Sequence, residues 1–122
     1  MFTAPTLLRM LMRYGEEYAL GYDLKSLRFV TCAGEPLNPE ALKWTYEFIC
    51  GNGEWGHIVD NCWQTETGGP SLGITPTLEV RPGRVGLALR GAELDLGERG
   101  GRPVTGPDHA GVLGVHEPCP RL

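Results

Sequence analysis

The segment from residue 27 to residue 69 constrains this chain more than any other. "LRFVTCAG" (27–34) is short, partly β-branched and aromatic, and stops at a glycine, which is the pattern of a strand entering a turn. "NPEALKWTYEFICG" follows with the marks of a helix start. Asn38 can cap, Pro39 suits the first helical position, and Glu40 favours the positive helix end. Leu42, Tyr46 and Ile49 recur with a helical period and Gly51 ends it. "HIVD" (57–60) is a second short strand that runs straight into "DNCWQTETGG" (60–69). The order is β-α-β. A right-handed crossover makes the strands parallel and puts both glycine-bearing turns at one carboxyl edge. Open α/β sheets bind ligands just outside that edge. "AGEP" (33–36) and "DNCWQTETGG" are therefore expected to be neighbours in space.

Ahead of this unit, "PTLLRMLMRYG" predicts a helix with Leu7, Leu8, Leu11 and Met12 on one face, Pro5 in its first turn and Gly15 near its end. Behind it the chain changes character. Its 18 glycines in 122 residues are about twice the usual share, and they concentrate after Cys50. "GRVGLALRG", "AELDLGERGGRPV" and "HAGVLGVH" read as small antiparallel strands. Leu94 and Leu96 alternate with Glu93 and Asp95 to give one apolar and one wet face, and "GERGG" is the expected hairpin turn. The chain stops at "EPCPRL" without a closing element, so truncation is expected. The expected fold class is α/β: a partial β-α-β layer over residues 1–76, then short glycine-rich strands over 77–122 of the same domain.

Composition narrows the partners. The net charge is −4, with 15 acidic and 11 basic residues well mixed and no basic tract, so nucleic acid is not an expected partner. No stretch has the apolar length of a membrane span, and the start lacks a signal-peptide layout. A cytoplasmic location is expected. Cys32, Cys50, Cys62 and Cys119 form no C-x-x-C pair and have no histidine cluster beside them. They read as reduced, partly buried thiols and not as a zinc site. His57, His109 and His116 belong to no triad-like arrangement.

Several residues can carry chemistry or merely structure. The Thr65 hydroxyl and its neighbouring N–H groups can donate to phosphate oxygens, and the Glu66 carboxylate can hold Mg²⁺. Gly68 and Gly69 let backbone approach a ligand. The same residues also make an ordinary polar turn. Trp63 is either a packing residue or a wall for a small apolar substrate. Asp60 is either a turn carboxylate or an acceptor for a ring amine. Glu35 sits before a proline-constrained segment, and Gly34 allows a flat base to lie on the backbone.

"FTAPTLLRMLMRYGEEYALGYDLKSLRFVTCAGEPLNPEALKWTYEFI" followed by "HIVDNCWQTETGG" closely resembles the AMP-dependent, adenylate-forming acyl-CoA synthetases, with the short-chain acetyl- and propionyl-CoA branch nearest. The resemblance is strongest over residues 2–76 and looser beyond. It implies a piece of the large N-terminal, AMP-binding domain that uses ATP, Mg²⁺ and CoA, with acetate or propionate as the acid. Gly34, Glu35 and Pro36 match the segment along the adenine and ribose, and Asp60 the residue near the adenine amino group. Gln64 sits within the nucleotide motif, Thr65 matches the α-phosphate threonine, and Glu66 the Mg²⁺-associated glutamate. Thr65 and Glu66 thus correspond to the catalytic pair. Trp63 looks like the floor of the short-chain acyl pocket.

Ala33 matches a second pocket position that is often valine in acetate users, so alanine leaves room for propionate or slightly more. Asn61 and Cys62 also depart from the family pattern. The family's phosphate loop is expected before Met1, and its ribose-binding aspartate, hinge and catalytic lysine after Leu122. The isolated chain is expected to be inactive without them. Two other readings stay open: an adenylation domain for another small acid, and a non-catalytic, truncated nucleotide-binding module.

Overall fold

The structure is a computed structural model that describes residues 1–106 and 109–116. Five strands form one sheet in chain order, namely β1 (Phe2–Thr3), β2 (Phe29–Cys32), β3 (His57–Cys62), β4 (Leu72–Gly73) and β5 (Leu87–Ala88). The first three are parallel, with Phe2 opposite Thr31, Thr31 opposite Val59 and Cys32 opposite Asp60. β4 and β5 continue the sheet in antiparallel sense, Cys62 opposite Leu72 and Leu72 opposite Ala88. The β-α-β unit thus forms as read from the sequence. The two-residue β1 lies outside that reading, because two residues show no alternation.

Helix α1 (Pro5–Tyr14) follows β1, α2 (Glu16–Leu20) follows α1, and α3 (Pro39–Trp44) links β2 to β3. Leu8, Val30, Cys32, Leu37, Ala41, Leu42, Ile49, Cys50 and Ile58 form the core between these helices and the sheet. Leu8 is fully buried, and Leu11 and Met12 pack against the core. Leu7, expected on the same face, is 42% exposed. The buried stripe runs through Pro5, Leu8 and Met12, and a residue beside Leu8 in sequence is rotated about 100° away from it. Leu8→Ala is expected to destabilise the protein by about 3 kcal/mol, measured by urea denaturation. A loss below about 1 kcal/mol would show that α1 is not anchored through this side chain.

Two further features of α3 differ from expectation. Asn38 does not cap with its side chain. Its Nδ2 donates to Glu40 Oε2 at 3.1 Å, and its Oδ1 is buried without a partner. The helix also widens into a π-turn at Thr45–Ile49, where the Cys50 N–H donates to the Thr45 carbonyl at 3.0 Å. One extra residue in that turn brings both Ile49 and Cys50 inward, where a regular helix would spread them further apart.

The remaining strands, β6 (Leu94–Gly97) and β7 (Val112–Val115), pair antiparallel as a separate two-stranded sheet. The "GERGG" turn closes through the Gly101 N–H to the Glu98 carbonyl at 2.8 Å. The returning chain then makes a single bridge, Gly97 to Pro103, and the full partner of β6 is β7. The expected apolar face is only half realised, since Leu94 is half-buried and Leu96 exposed. "EPCPRL", including Cys119, lies outside the described residues. Among the described residues no helix is long and apolar enough to cross a membrane.

Candidate functional site

All three parallel strands deliver their following segments to one edge. β2 ends at Cys32, after which the Ala33 N–H donates to the Thr3 carbonyl at 3.3 Å. Gly34 then turns with φ +96, and a Cβ there would meet nothing within 4 Å. The glycine is thus demanded by backbone conformation and not by space. Because Asp60 lies opposite Cys32, the chain after β3 emerges beside the chain after β2.

Two cavities open between these segments. The larger, of about 500 Å³, is lined by Gly34, Glu35, Pro36 and Leu37 on one side and by Asp60, Asn61, Cys62, Trp63 and Gln64 on the other. Gly83, Arg84 and Val85 close it. The smaller, of about 270 Å³, is lined by Phe2, Ala33, Gly34, Trp63, Gln64 and Thr65. Gly34, Trp63 and Gln64 line both. Ala33, Gly34, Glu35, Pro36, Asp60, Trp63, Gln64 and Thr65 therefore border one or both cavities, whereas Glu66, Gly68 and Gly69 border neither. Another cavity, of about 390 Å³, is lined by Lys43, Tyr46, His57 and Glu79 among others. His57 opens β3, so this one lies toward the amino edge, away from where such sheets bind ligands.

Thr65 and Glu66 sit in a one-turn 3-10 helix, Thr65–Thr67, preceded by Gln64 in extended conformation. Thr67, which sequence reasoning passed over, locks this turn. Its hydroxyl accepts from the Gln64 N–H at 3.2 Å and lies 2.8 Å from the carbonyls of both Gln64 and Gly69. Gly68 closes the turn at φ +70, its N–H donating to the Thr65 carbonyl at 3.2 Å. Thr67 leaves the Thr65 hydroxyl and Glu66 carboxylate exposed. Among the described residues neither makes a hydrogen bond or ion pair. A threonine followed by two glycines was the signal for this turn.

The two other carboxylates are tuned in opposite directions. Asp60 is 6% exposed. Burial lifts its carboxyl from 3.8 to about 6, partly opposed by the Asn61 N–H. Glu35 is lowered from 4.5 to about 2 by the Thr6 hydroxyl first, then by Arg9 and the Thr6 N–H. The ionised Glu35 therefore stabilises the fold above about pH 4.5, and that contribution is lost as pH falls through about 2. Its carboxylate is committed to α1, and the residue also lines the larger cavity. Cys32 and Cys50 are buried thiols raised by desolvation to about 12 and about 11, while the Cys62 thiol is free and exposed. Phe2, Thr6, Arg9 and Arg84 also contribute here, and no local pattern marked them, since each reaches the site only through the tertiary fold.

The AMP-binding enzyme family model matches residues 1–120. The chain is 42% identical over 123 residues to the acetyl-coenzyme A synthetase of Deinococcus radiodurans, an alignment covering all of this chain and 18% of that protein. It is 36% identical to the acetyl-coenzyme A synthetase of Bacillus subtilis, over 99% of this chain and 20% of that one. The crystal structure of Brucella canis acyl-CoA synthetase superposes with a TM-score of 0.77 at 34% identity, covering 93% of this chain and 20% of that chain. The chain thus spans about a fifth of the length of the relatives it matches. It belongs to the AMP-binding enzyme family.

Proposed function

We propose that this chain is the part of a longer, AMP-forming short-chain acyl-CoA synthetase in which the nucleotide and the acid meet. The carrying observation is the pair of cavities at the carboxyl edge that share Gly34, Trp63 and Gln64 as a common wall. The larger suits the adenosine of ATP, with Asp60 accepting from the adenine amino group and the Gly34–Pro36 backbone against the base and ribose. The smaller suits a short carboxylic acid, acetate or propionate, with Trp63 as its floor and Ala33 as its side. Thr65 lines the smaller cavity directly after the shared Gln64, which supports an α-phosphate beside it, within reach of the acid. In this reading residues 1–76 and 77–122 belong to one AMP-binding domain.

The reaction has two displacements. A carboxylate oxygen of the acid attacks the α-phosphorus, the bond to the β-phosphate oxygen breaks, and pyrophosphate leaves. The CoA thiolate then attacks the acyl carbonyl and AMP departs as a phosphate anion. Both steps ask chiefly for in-line placement and for charge on phosphate to be met. Thr65 donates its hydroxyl to the α-phosphate, and Trp63 holds the acid so that its carboxylate points across the shared wall. The Glu66 carboxylate, exposed and without a protein partner among the described residues, is a hard oxygen donor of the kind Mg²⁺ takes. A single carboxylate suits an ion whose other ligands are water and substrate phosphates. When bound, Mg²⁺ supplies charge neutralisation at the phosphates.

The whole protein is expected to catalyse ATP–pyrophosphate exchange that depends on added acetate or propionate. Absence of exchange with every short acid tried would overturn the assignment.

A further inference from the structure

Helix α1 begins with an unmet requirement. Ala4 stands at its N-cap without a side-chain acceptor, and its first turn contains no acidic residue. The orphan amides and positive end of such a helix attract a carboxylate. Glu35, from the loop after β2, supplies it. The Thr6 N–H donates to Glu35 Oε1 at 2.8 Å, and the Thr6 hydroxyl donates to the same oxygen. Arg9 Nη2 donates to Glu35 Oε2 at 2.6 Å and lies 2.7 Å from Thr6 Oγ1. Both carboxylate oxygens are thus engaged on α1.

The neighbours of Glu35 explain why this matters for binding. Gly34 adopts φ +96 and has no side chain to fix it, while Gly34, Glu35 and Pro36 form one wall of the larger cavity. A loop turning on a glycine needs an external tether to hold a single shape. We propose that Arg9 and Thr6 are positioning residues, which hold the wall of the nucleotide cavity in place by gripping the Glu35 carboxylate. Arg9 and Glu35 are 39% and 33% exposed, and exposed ion pairs add little to global stability. The effect therefore falls mainly on loop geometry, and its share in global stability, present above about pH 4.5, is small. The identity of the ligand rests on the function proposed above; the tether does not.

The test is Arg9→Met in the whole protein. The KM for ATP is expected to rise about tenfold with kcat within about twofold of wild type, and Arg9→Lys to recover most of the loss. Combining Arg9→Met with Glu35→Gln is expected to be no worse than the poorer single variant. Equal losses in kcat and KM, or additive losses in the double variant, would overturn the tether. Hydrogen exchange reads it without nucleotide. The amide of Ala33, which opens the loop and donates to the Thr3 carbonyl, and that of Thr6, which donates to Glu35 Oε1, are expected to exchange about tenfold faster in Arg9→Met, with those of β3 unchanged. Unchanged exchange in the loop overturns the proposal. A wild-type protein that binds no ATP overturns the functional reading instead, and the exchange result still decides the tether.

Discussion

Trp63→Gly is expected to convert the acid preference of the whole protein from two- or three-carbon acids to acids of medium length. Trp63 follows directly on the end of β3 and lines both cavities at once. Its indole occupies volume that a longer acyl chain needs, and no other aromatic side chain except Phe2 lines the smaller cavity. Each methylene accommodated or lost in an apolar pocket changes transition-state binding by about 1–3 kcal/mol. The kcat/KM for acetate and propionate should therefore fall by about 10–100-fold and that for six- to eight-carbon acids rise by a similar factor. The measurement is acid-dependent pyrophosphate release across a chain-length series. An unaltered profile would remove Trp63 from the acid pocket and leave it as a packing residue. Because the ring is 42% exposed, its loss should cost little stability, so activity and folding can be read separately.

Asp60→Asn should separate stability from binding in the opposite sense. Burial raises the Asp60 carboxyl from 3.8 to about 6. Below pH 3.8 the group is protonated in both folded and unfolded chains and contributes nothing. As pH rises toward 6 the unfolded chain loses its proton first, so folding weakens, and above 6 the full penalty of a buried charge is present. A rise of roughly two units corresponds to a penalty on the order of 2–3 kcal/mol. The neutral asparagine escapes it. The variant should be more stable than wild type at pH 7.5, with the gap closing as pH falls from 6 to 4. Nucleotide binding should move the other way, since an amide that turns its NH₂ toward the adenine amino group loses an acceptor and gains a clash of donors. An ATP affinity about tenfold or more weaker is expected. A variant that is less stable at pH 7.5, or one whose advantage persists at pH 4, would show that burial of the carboxylate is not the governing cost.

Much of the positioning logic was legible in the residues, because it depends on local patterns. Val30 and Ile58 mark two strands, Gly34 and Gly68 mark the turns that follow them, and α3 between them enforces parallel pairing. These local patterns suffice to put Trp63, Thr65 and Gly34 at one edge of the sheet. Other parts depend on contacts between distant residues. Arg9 looks like an ordinary surface cation on a helix until Glu35, 26 residues on, is brought against it. Asn38 has every local mark of a cap, yet Glu40 draws its amide aside. The π-turn at Thr45–Ile49 has no sequence signal, since it resolves competing demands of Ile49 and Cys50 for the same interior. The Leu96 face stays exposed because, among the described residues, β6 pairs along its full length with β7 alone, a pairing that alternation along one strand does not specify.

Strand β3 changes neighbours along its length. Residues 57–60 are laced to β2, whereas Asn61 and Cys62 are laced to β4. The sheet therefore parts like a zip at Asp60, and the gap beyond it is where the two cavities sit. The strand residues of the core, Val30, Cys32 and Ile58, all lie before the parting. Most of the residues that line the two cavities lie at or beyond it. Residues 63 and 64 lie past both ladders of β3, so lineages can rewrite them without renegotiating the pairing on which folding depends.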